Sequence, residues 1–117
     1  QGASIADIGT DHAYIPIYLA QKGIISNGIA SDVRPGPVAK AVENVRKYQL
    51  EEHIHVRLGN GLEKIGVGET DTVIIAGMGG VLICEILTQA QEVLKSVKRL
   101  IIQPMIAGGS TIVVKCH

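Results

Sequence analysis

The sequence predicts an α/β fold, a mostly parallel sheet flanked by helices. Strand-like and helix-like segments alternate along the chain, the apolar runs are short, and glycine or a short polar residue follows several of them. Right-handed crossovers between such segments make the strands parallel.

Ile5–Ile8 is an apolar run that ends in Gly9. Ile15–Gln21 has helical spacing at Ile15, Tyr18 and Leu19, and Pro16 fits if the helix starts beside it, where a missing N–H matters least. Lys22-Gly23 is the expected stop. Gly28–Ser31 is a second strand closed by Asp32. Pro35-Gly36-Pro37 opens a helix with a buried stripe of Val38, Ala41, Val42, Val45 and Tyr48, and with Lys40, Glu43, Asn44 and Lys47 toward water. Ile54–Leu58 alternates and runs into Gly59-Asn60-Gly61. Leu62–Asp71 is short for a full helix and suits a turn or a degenerate helix. Thr72–Ala76 is β-branched and apolar, as in a strand covered on both faces, and leads into Gly77-Met78-Gly79-Gly80. A helix follows, with Leu82, Ile83, Ile86, Leu87, Ala90, Val93 and Leu94 inward. Arg99–Gln103 is the last clear strand, stopped by Pro104. Residues 1–104 therefore form the expected domain. In the 105–117 tail, Thr111–Val114 fits either one more strand or a poorly ordered end.

A chain of 117 residues is about one domain. Fourteen glycines exceed the eight or so that an average usage of roughly 7% would give. Phe and Trp are absent, so the core must be aliphatic. Lys plus Arg equals Asp plus Glu, at 11 each, which excludes a strongly basic domain that holds nucleic acid by charge alone. Cys84 and Cys116 are too few for a disulfide framework or a zinc ribbon. The apolar runs are too short to span a bilayer, and the N-terminus has no signal-peptide pattern, so a soluble, cytoplasmic domain is expected.

In open parallel sheets ligands bind beyond the carboxyl ends of the strands. The unusual residues of this chain gather there: Asp7 to His12, then Asp32, then Gly59 to Gly61, then Gly77 to Gly80. Each glycine alone fits a turn. Four such ends together point to a ligand that the backbone approaches closely. The first loop lacks the full Gly-x-Gly-x-x-Gly fingerprint, and no phosphate-binding Gly-Lys-Ser/Thr loop occurs. Asp11 stands where a dinucleotide would place its pyrophosphate and would repel it. A cationic ligand would gain from that carboxylate, and S-adenosylmethionine carries an ammonium, a sulfonium and no phosphate. Asp32 is placed to accept ribose hydroxyls, a device shared with nicotinamide enzymes. Asn60 can both donate to and accept from an adenine edge.

Ala6-Asp7-Ile8-Gly9-Thr10-Asp11-His12-Ala13-Tyr14-Ile15-Pro16, Ala30-Ser31-Asp32-Val33-Arg34-Pro35-Gly36-Pro37 and Ile75-Ala76-Gly77-Met78-Gly79-Gly80 closely resemble the bacterial tRNA adenine-22 N1-methyltransferase family. The resemblance covers about residues 4–104 in motif order. It implies a Rossmann-like, class I methyltransferase core with strand order 3-2-1-4-5, S-adenosylmethionine as cofactor, and tRNA as substrate and partner. It also implies that Gly9, Thr10, Asp11 and His12 line the methionine part of the cofactor. Asp32 would hold the ribose, Asn60 and Gly61 would flank the adenine, and Gly77, Met78, Gly79 and Gly80 would lie near the transferred methyl. The family usually has Asp where Asn60 stands, and Gln-Pro-Asn where Gln103-Pro104-Met105 stands. Its helical extensions and counterparts of its last two strands are not recognisable, so the chain is expected to be the cofactor-binding part of a longer enzyme, with an apolar sheet edge exposed.

Asp11 is the candidate catalytic carboxylate, positioned to stabilise a cationic methylated adenine; a role in cofactor binding alone is the alternative. Asp7 fits a brace for the glycine loop through backbone N–H groups. His12 fits either a ligand contact or a backbone-bonded residue at a helix start. Met78 fits either cofactor packing or gap filling. His53 and His55 share a strand face without a third ligand, so no metal is expected. Cys84, on a helix flank, fits packing. Arg34, Lys40, Arg46, Lys47, Lys95, Lys98 and Arg99 are the candidate RNA contacts, and a solvated surface explains them equally. The competing functions are a cofactor-binding fragment without catalysis and a nicotinamide-dependent Rossmann oxidoreductase, the latter opposed by the acidic first loop. The pattern does not fix an oligomeric state.

Overall fold

The computed structural model describes residues 3–104 and 112–115. The elements in chain order are β1 (Ala3–Ile8), α1 (Tyr14–Gln21), β2 (Ile25–Asp32), α2 (Pro35–Lys47), β3 (Ile54–Leu58), β4 (Thr72–Met78), α3 (Gly80–Gln89), α4 (Gln91–Lys95), β5 (Arg99–Pro104) and β6 (Ile112–Lys115). They form one sheet of order β3-β2-β1-β4-β5-β6. The first five strands are parallel and keep the order 3-2-1-4-5, while β6 runs antiparallel to β5. The expected bare edge at β5 is corrected by this pairing, because Leu100 and Ile102 lie opposite Val114 and Ile112 and the backbone groups on that side of β5 have a strand to bond.

Alternation along the strands divides the core into two layers. Ala6, Ile8, Ile29, Val73 and Ile75 pack with Leu62, Ile65, Ile83 and Ile86 on one face. Ala30 and Ile54 pack with Ala13, Ile17, Ala41 and Val45 on the other. The central strand β4 carries the β-branched run Thr72–Ile75, of which Thr72, Val73 and Ile75 are buried, as expected of a parallel strand covered on both faces.

Several helix faces differ from the sequence expectation. In α1 the buried side chains are Pro16 and Ile17, with Ala13 just before the helix, whereas Ile15 and Tyr18 are exposed. The small residues win because they let α1 lie close to Gly28 of β2, where an added Cβ would sit 3.6 Å from the Pro16 Cβ. Pro16 occupies the third helical position, where its missing N–H has no intrahelical partner. The helix ends as expected: Gly23 adopts φ 71°, its N–H donates to Ala20 O, and the Ile24 N–H donates to Leu19 O, closing a Schellman turn.

In α2 only Ala41 and Val45 of the expected stripe are fully buried, while Val42 and Tyr48 are exposed. Asn44, expected to face water, is half-buried and has a structural bond described below. The last long helix is interrupted at Ala90 into α3 and α4, and Leu82 is exposed rather than inward. Cys84 is likewise exposed rather than packed; Cys116 lies outside the described residues. Residues 62–71 form turns, as their length suggested. No described helix is long and apolar enough to cross a membrane.

Candidate functional site

The carboxyl ends of β1, β2, β3 and β4 converge on one cleft, and β1 contributes the tightest turn. Gly9, Asp11 and Ala13 all have φ between 60° and 74°. Left-handed backbone is free for Gly, tolerated by Asp and costly for Ala, so strain collects in this five-residue stretch. Several bonds hold it in place. The Gly9 and Thr10 N–H groups both donate to Ser31 O, each at 2.9 Å. The Thr10 hydroxyl donates to Asp7 Oδ2 at 2.8 Å, and the Asn44 side-chain amide donates to His12 O at 2.9 Å. The Asp11 N–H donates to Asp32 Oδ2 at 3.0 Å. Asp7 thus braces the loop through a hydroxyl, which corrects the expectation of backbone N–H partners; β2 takes those N–H groups instead.

Two buried carboxylates sit side by side with opposite electrostatics. Asp7 is buried in β1, and burial pushes its carboxyl up to about 6; the Thr10 hydroxyl opposes this and the Asp32 charge adds to it. Asp32 is also buried, which pushes its carboxyl up, but the Arg34 side chain, the Arg34 and Asp11 N–H groups and the guanidinium charge together hold it below the ordinary value. The paired carboxylates hold the Arg34 guanidinium above its usual range. Asp11 projects outward, with its Oδ1 3.7 Å from Arg34 Nη2 and 3.8 Å from His12 Nε2. The His12 ring meets Tyr14 edge-on, with centroids 5.4 Å apart.

The cleft between these ends is narrow, about 50 Å³, and is lined by Ile8, Gly9, Asp32, Val33, Gly59, Asn60, Gly61, Met78, Leu82 and Ile86. Met78 fills part of it: its Cε lies 2.6 Å from where a Cβ on Gly9 would be. A larger hollow of about 620 Å³ adjoins it across Asn60, Gly61 and Ile86, between the turns after β3 and the α3–α4 corner, with Glu63 and Glu92 on its rim.

Of the residues singled out in the sequence, Gly9, Asp32, Asn60, Gly61 and Met78 line the cleft together. Thr10 is buried and turned onto Asp7, so it supports the loop. Asp11 and His12 stand at the rim. Gly77 is the extra residue of a bulge in β4 with φ 75°, and Gly79 caps α3 before Gly80 begins it. These three glycines are outside the cleft lining, and a Cβ on any of them would meet open space. Sequence reasoning missed Val33 and Leu82 as lining residues, and it offered Arg34 as an RNA contact rather than as the partner of Asp32. Val33 directly follows Asp32 at the end of β2, a position the sequence shows, whereas the outward turn of Leu82 on α3 and the Arg34 pairing depend on tertiary geometry.

The turn after β3 is tied down separately. Arg57 donates to Lys64 O and to both carboxylate oxygens of Glu69, and Glu69 Oε1 also accepts from the Gly66 N–H. This holds the Glu69 carboxyl at about 2, with the Arg57 hydrogen bond the largest cause and the Gly66 N–H the next.

The candidate RNA cations do not converge. Lys40 and Lys95 pair with Glu43 and Glu92, and the backbone N–H groups of Lys98 and Arg99 bond Asp71 O at the amino end of the sheet, away from the cleft. His53 precedes β3 and bonds Ser26 O at 3.2 Å. Among the described residues no group of three His, Cys, Asp or Glu side chains could hold a metal.

A methyltransferase domain family model matches residues 1–111. The tRNA (adenine(22)-N(1))-methyltransferase of Bacillus subtilis is 48% identical over 105 residues, which are 90% of this chain and 44% of that protein. The crystal structure of a Streptococcus pneumoniae putative tRNA (m1A22) methyltransferase in complex with S-adenosyl-L-methionine superposes with a TM-score of 0.87 at 45% identity, covering 92% of this chain and 50% of that one. A Mycoplasma capricolum relative in complex with S-adenosyl-homocysteine gives a TM-score of 0.81 at 37% identity, covering 92% and 47%. The chain thus spans about half the length of the relatives it matches.

Proposed function

The chain belongs to the methyltransferase domain family, and from that membership we propose that it is the cofactor-binding part of an S-adenosylmethionine-dependent tRNA methyltransferase that modifies N1 of adenine 22, acting in the cytoplasm. The observation that carries this reading is the pairing of the buried Asp32 carboxylate with the acidic Gly9–His12 turn. One carboxylate suits a ribose diol and the other a cationic ligand, and a pyrophosphate would be repelled. The kinship with relatives crystallised with S-adenosylmethionine and S-adenosyl-homocysteine supports it.

The residues present fit such a ligand. Asp32 accepts the ribose hydroxyls, and Gly9, which lacks a Cβ, lets the backbone come close. Val33, Leu82, Asn60 and Gly61, which line the cleft together, would hold the adenine. Met78 is a flexible side chain and yields where the cleft must widen. When bound, S-adenosylmethionine supplies an electrophilic methyl group, which a nucleobase nitrogen with a free lone pair takes without prior deprotonation. The chain's work is to position the reactants, to exclude water and to place a charge. Asp11 stands at the rim with a carboxylate that stabilises the cationic N1-methyladenine product and orients His12. Asp7 and Thr10 hold the turn that presents it. Gly77, Gly79 and Gly80 leave open space at the end of β4, where the target base enters.

A second reading is cofactor binding without catalysis, favoured by the chain's spanning only about half of its relatives. Incubation with labelled S-adenosylmethionine and two tRNA transcripts, one with A22 and one with G22, separates the two. Labelling of the A22 transcript alone is expected. Cofactor binding without labelling of either transcript would favour the second reading.

A further inference from the structure

Asp32 already holds a full set of hydrogen-bond donors. A carboxylate offers about four lone-pair positions. On Oδ1 they take the Arg34 N–H and the Arg34 Nε, each at 3.1 Å; on Oδ2 they take the Asp11 N–H at 3.0 Å and the Arg34 Nη2 at 3.2 Å. Two of the donors are backbone groups fixed by the turns after β1 and β2. The other two belong to one side chain, 61% exposed, at the start of α2. A vicinal diol donates two hydrogen bonds and needs two of these positions.

We propose that Arg34 is a latch on the ribose subsite: its guanidinium and the ribose diol of the cofactor compete for the same lone pairs of Asp32, so the strength of the Arg34–Asp32 pair sets how tightly the cofactor binds. The inference rests on the reading of Asp32 as the ribose acceptor. The guanidinium is the partner that yields. Moving either backbone N–H would unwind the strained turn at Asp11 or the start of α2, whereas Arg34 needs only side-chain rotation toward solvent. Its charge is not stranded when it leaves, because Asp11 Oδ1 lies 3.7 Å from Nη2 at the exposed rim. The forked geometry also explains why a single residue fills both positions: Nε and Nη2 bond the two carboxylate oxygens in parallel, which a lysine ammonium cannot do.

The test is calorimetric titration of the 117-residue chain, its Arg34→Gln variant and its Arg34→Lys variant with S-adenosyl-homocysteine. Arg34→Gln is expected to bind about twofold to fivefold more tightly than the wild type, the range that loss of a competing, half-exposed ion pair gives. Arg34→Lys is expected to fall between the two. Raising salt should narrow the gap between wild type and Arg34→Gln, since it weakens the competing pair. A residue that merely supported the fold would not produce tighter binding on removal. Equal or weaker binding by Arg34→Gln, with the wild type still binding, would overturn the latch alone. Absence of binding by all three proteins would overturn the cofactor reading and the latch with it.

Discussion

Replacing Asp7 by Asn removes a buried charge while keeping the side chain's shape and an acceptor for the Thr10 hydroxyl. In the folded chain the Asp7 carboxyl titrates at about 6, against 3.8 for an unperturbed one. That difference of about two units is worth about 3 kcal/mol at roughly 1.4 kcal/mol per unit. Because the folded value is raised, the folded state holds the proton more tightly. This contribution to stability is fully present below about pH 4 and is lost as pH rises through about 6. Above that, the ionised carboxylate, confined beside Asp32, costs the whole amount. Urea unfolding followed by far-ultraviolet circular dichroism, at pH values from 4 to 8, measures it. The stability of Asp7→Asn relative to wild type should improve by about 3 kcal/mol between pH 4 and 7.5 and stay level beyond. Ionisations common to the two proteins drop out of the difference. A difference that does not change with pH, or that moves the other way, would refute the assignment of a raised folded-state value to Asp7.

Gly9→Ala places a Cβ at φ 74° and against Met78, and should cost about 1–2 kcal/mol, seen as a fall of about 5–10 °C in melting temperature. Glu69→Gln should destabilise by about 1 kcal/mol at pH 7, a figure discounted for solvent screening. Since the folded Glu69 value is lowered to about 2 from 4.5, its contribution is present above pH 4.5 and is lost as pH falls through about 2, so wild type and variant should converge in acid unfolding. Asp11→Asn should lower methyl transfer to an A22 transcript at least tenfold while leaving the melting temperature within about 2 °C, because Asp11 is exposed. Unchanged transfer and unchanged cofactor affinity together would remove Asp11 from the site.

The strand pattern was legible because periodicity and strand-end glycines are local signals, whereas the strand order came from the family resemblance and not from either. Helix faces were less so. Ile15, Tyr18 and Leu19 satisfy helical spacing as well as Ala13, Pro16 and Ile17 do, and what chooses between them is close approach to Gly28, a tertiary fact. The same holds for Leu82, which lies on an apolar helix but turns to the cleft rim. The bulge at Gly77 lengthens β4 past Ala76, and its register with β5 is not written in either strand alone. At the site, the residue types at the ends of β1 and β2 could be read directly, since glycine or a short polar residue at four strand ends stands out together even though each alone fits a turn. Their bonding could not. Asn44 reaches His12 from a different element, and Arg34 claims both oxygens of Asp32 through a fork that only coordinates reveal.

The most direct measurement of the central claim, that the cleft at the carboxyl ends of β1 to β4 receives S-adenosylmethionine, is calorimetric titration of the wild-type chain and Asp32→Ala with S-adenosylmethionine and with NAD. Saturable binding of S-adenosylmethionine by the wild type, weakened at least tenfold in Asp32→Ala, and no binding of NAD, is the expected result. NAD binding with no response to S-adenosylmethionine, or S-adenosylmethionine binding that ignores Asp32, would contradict it.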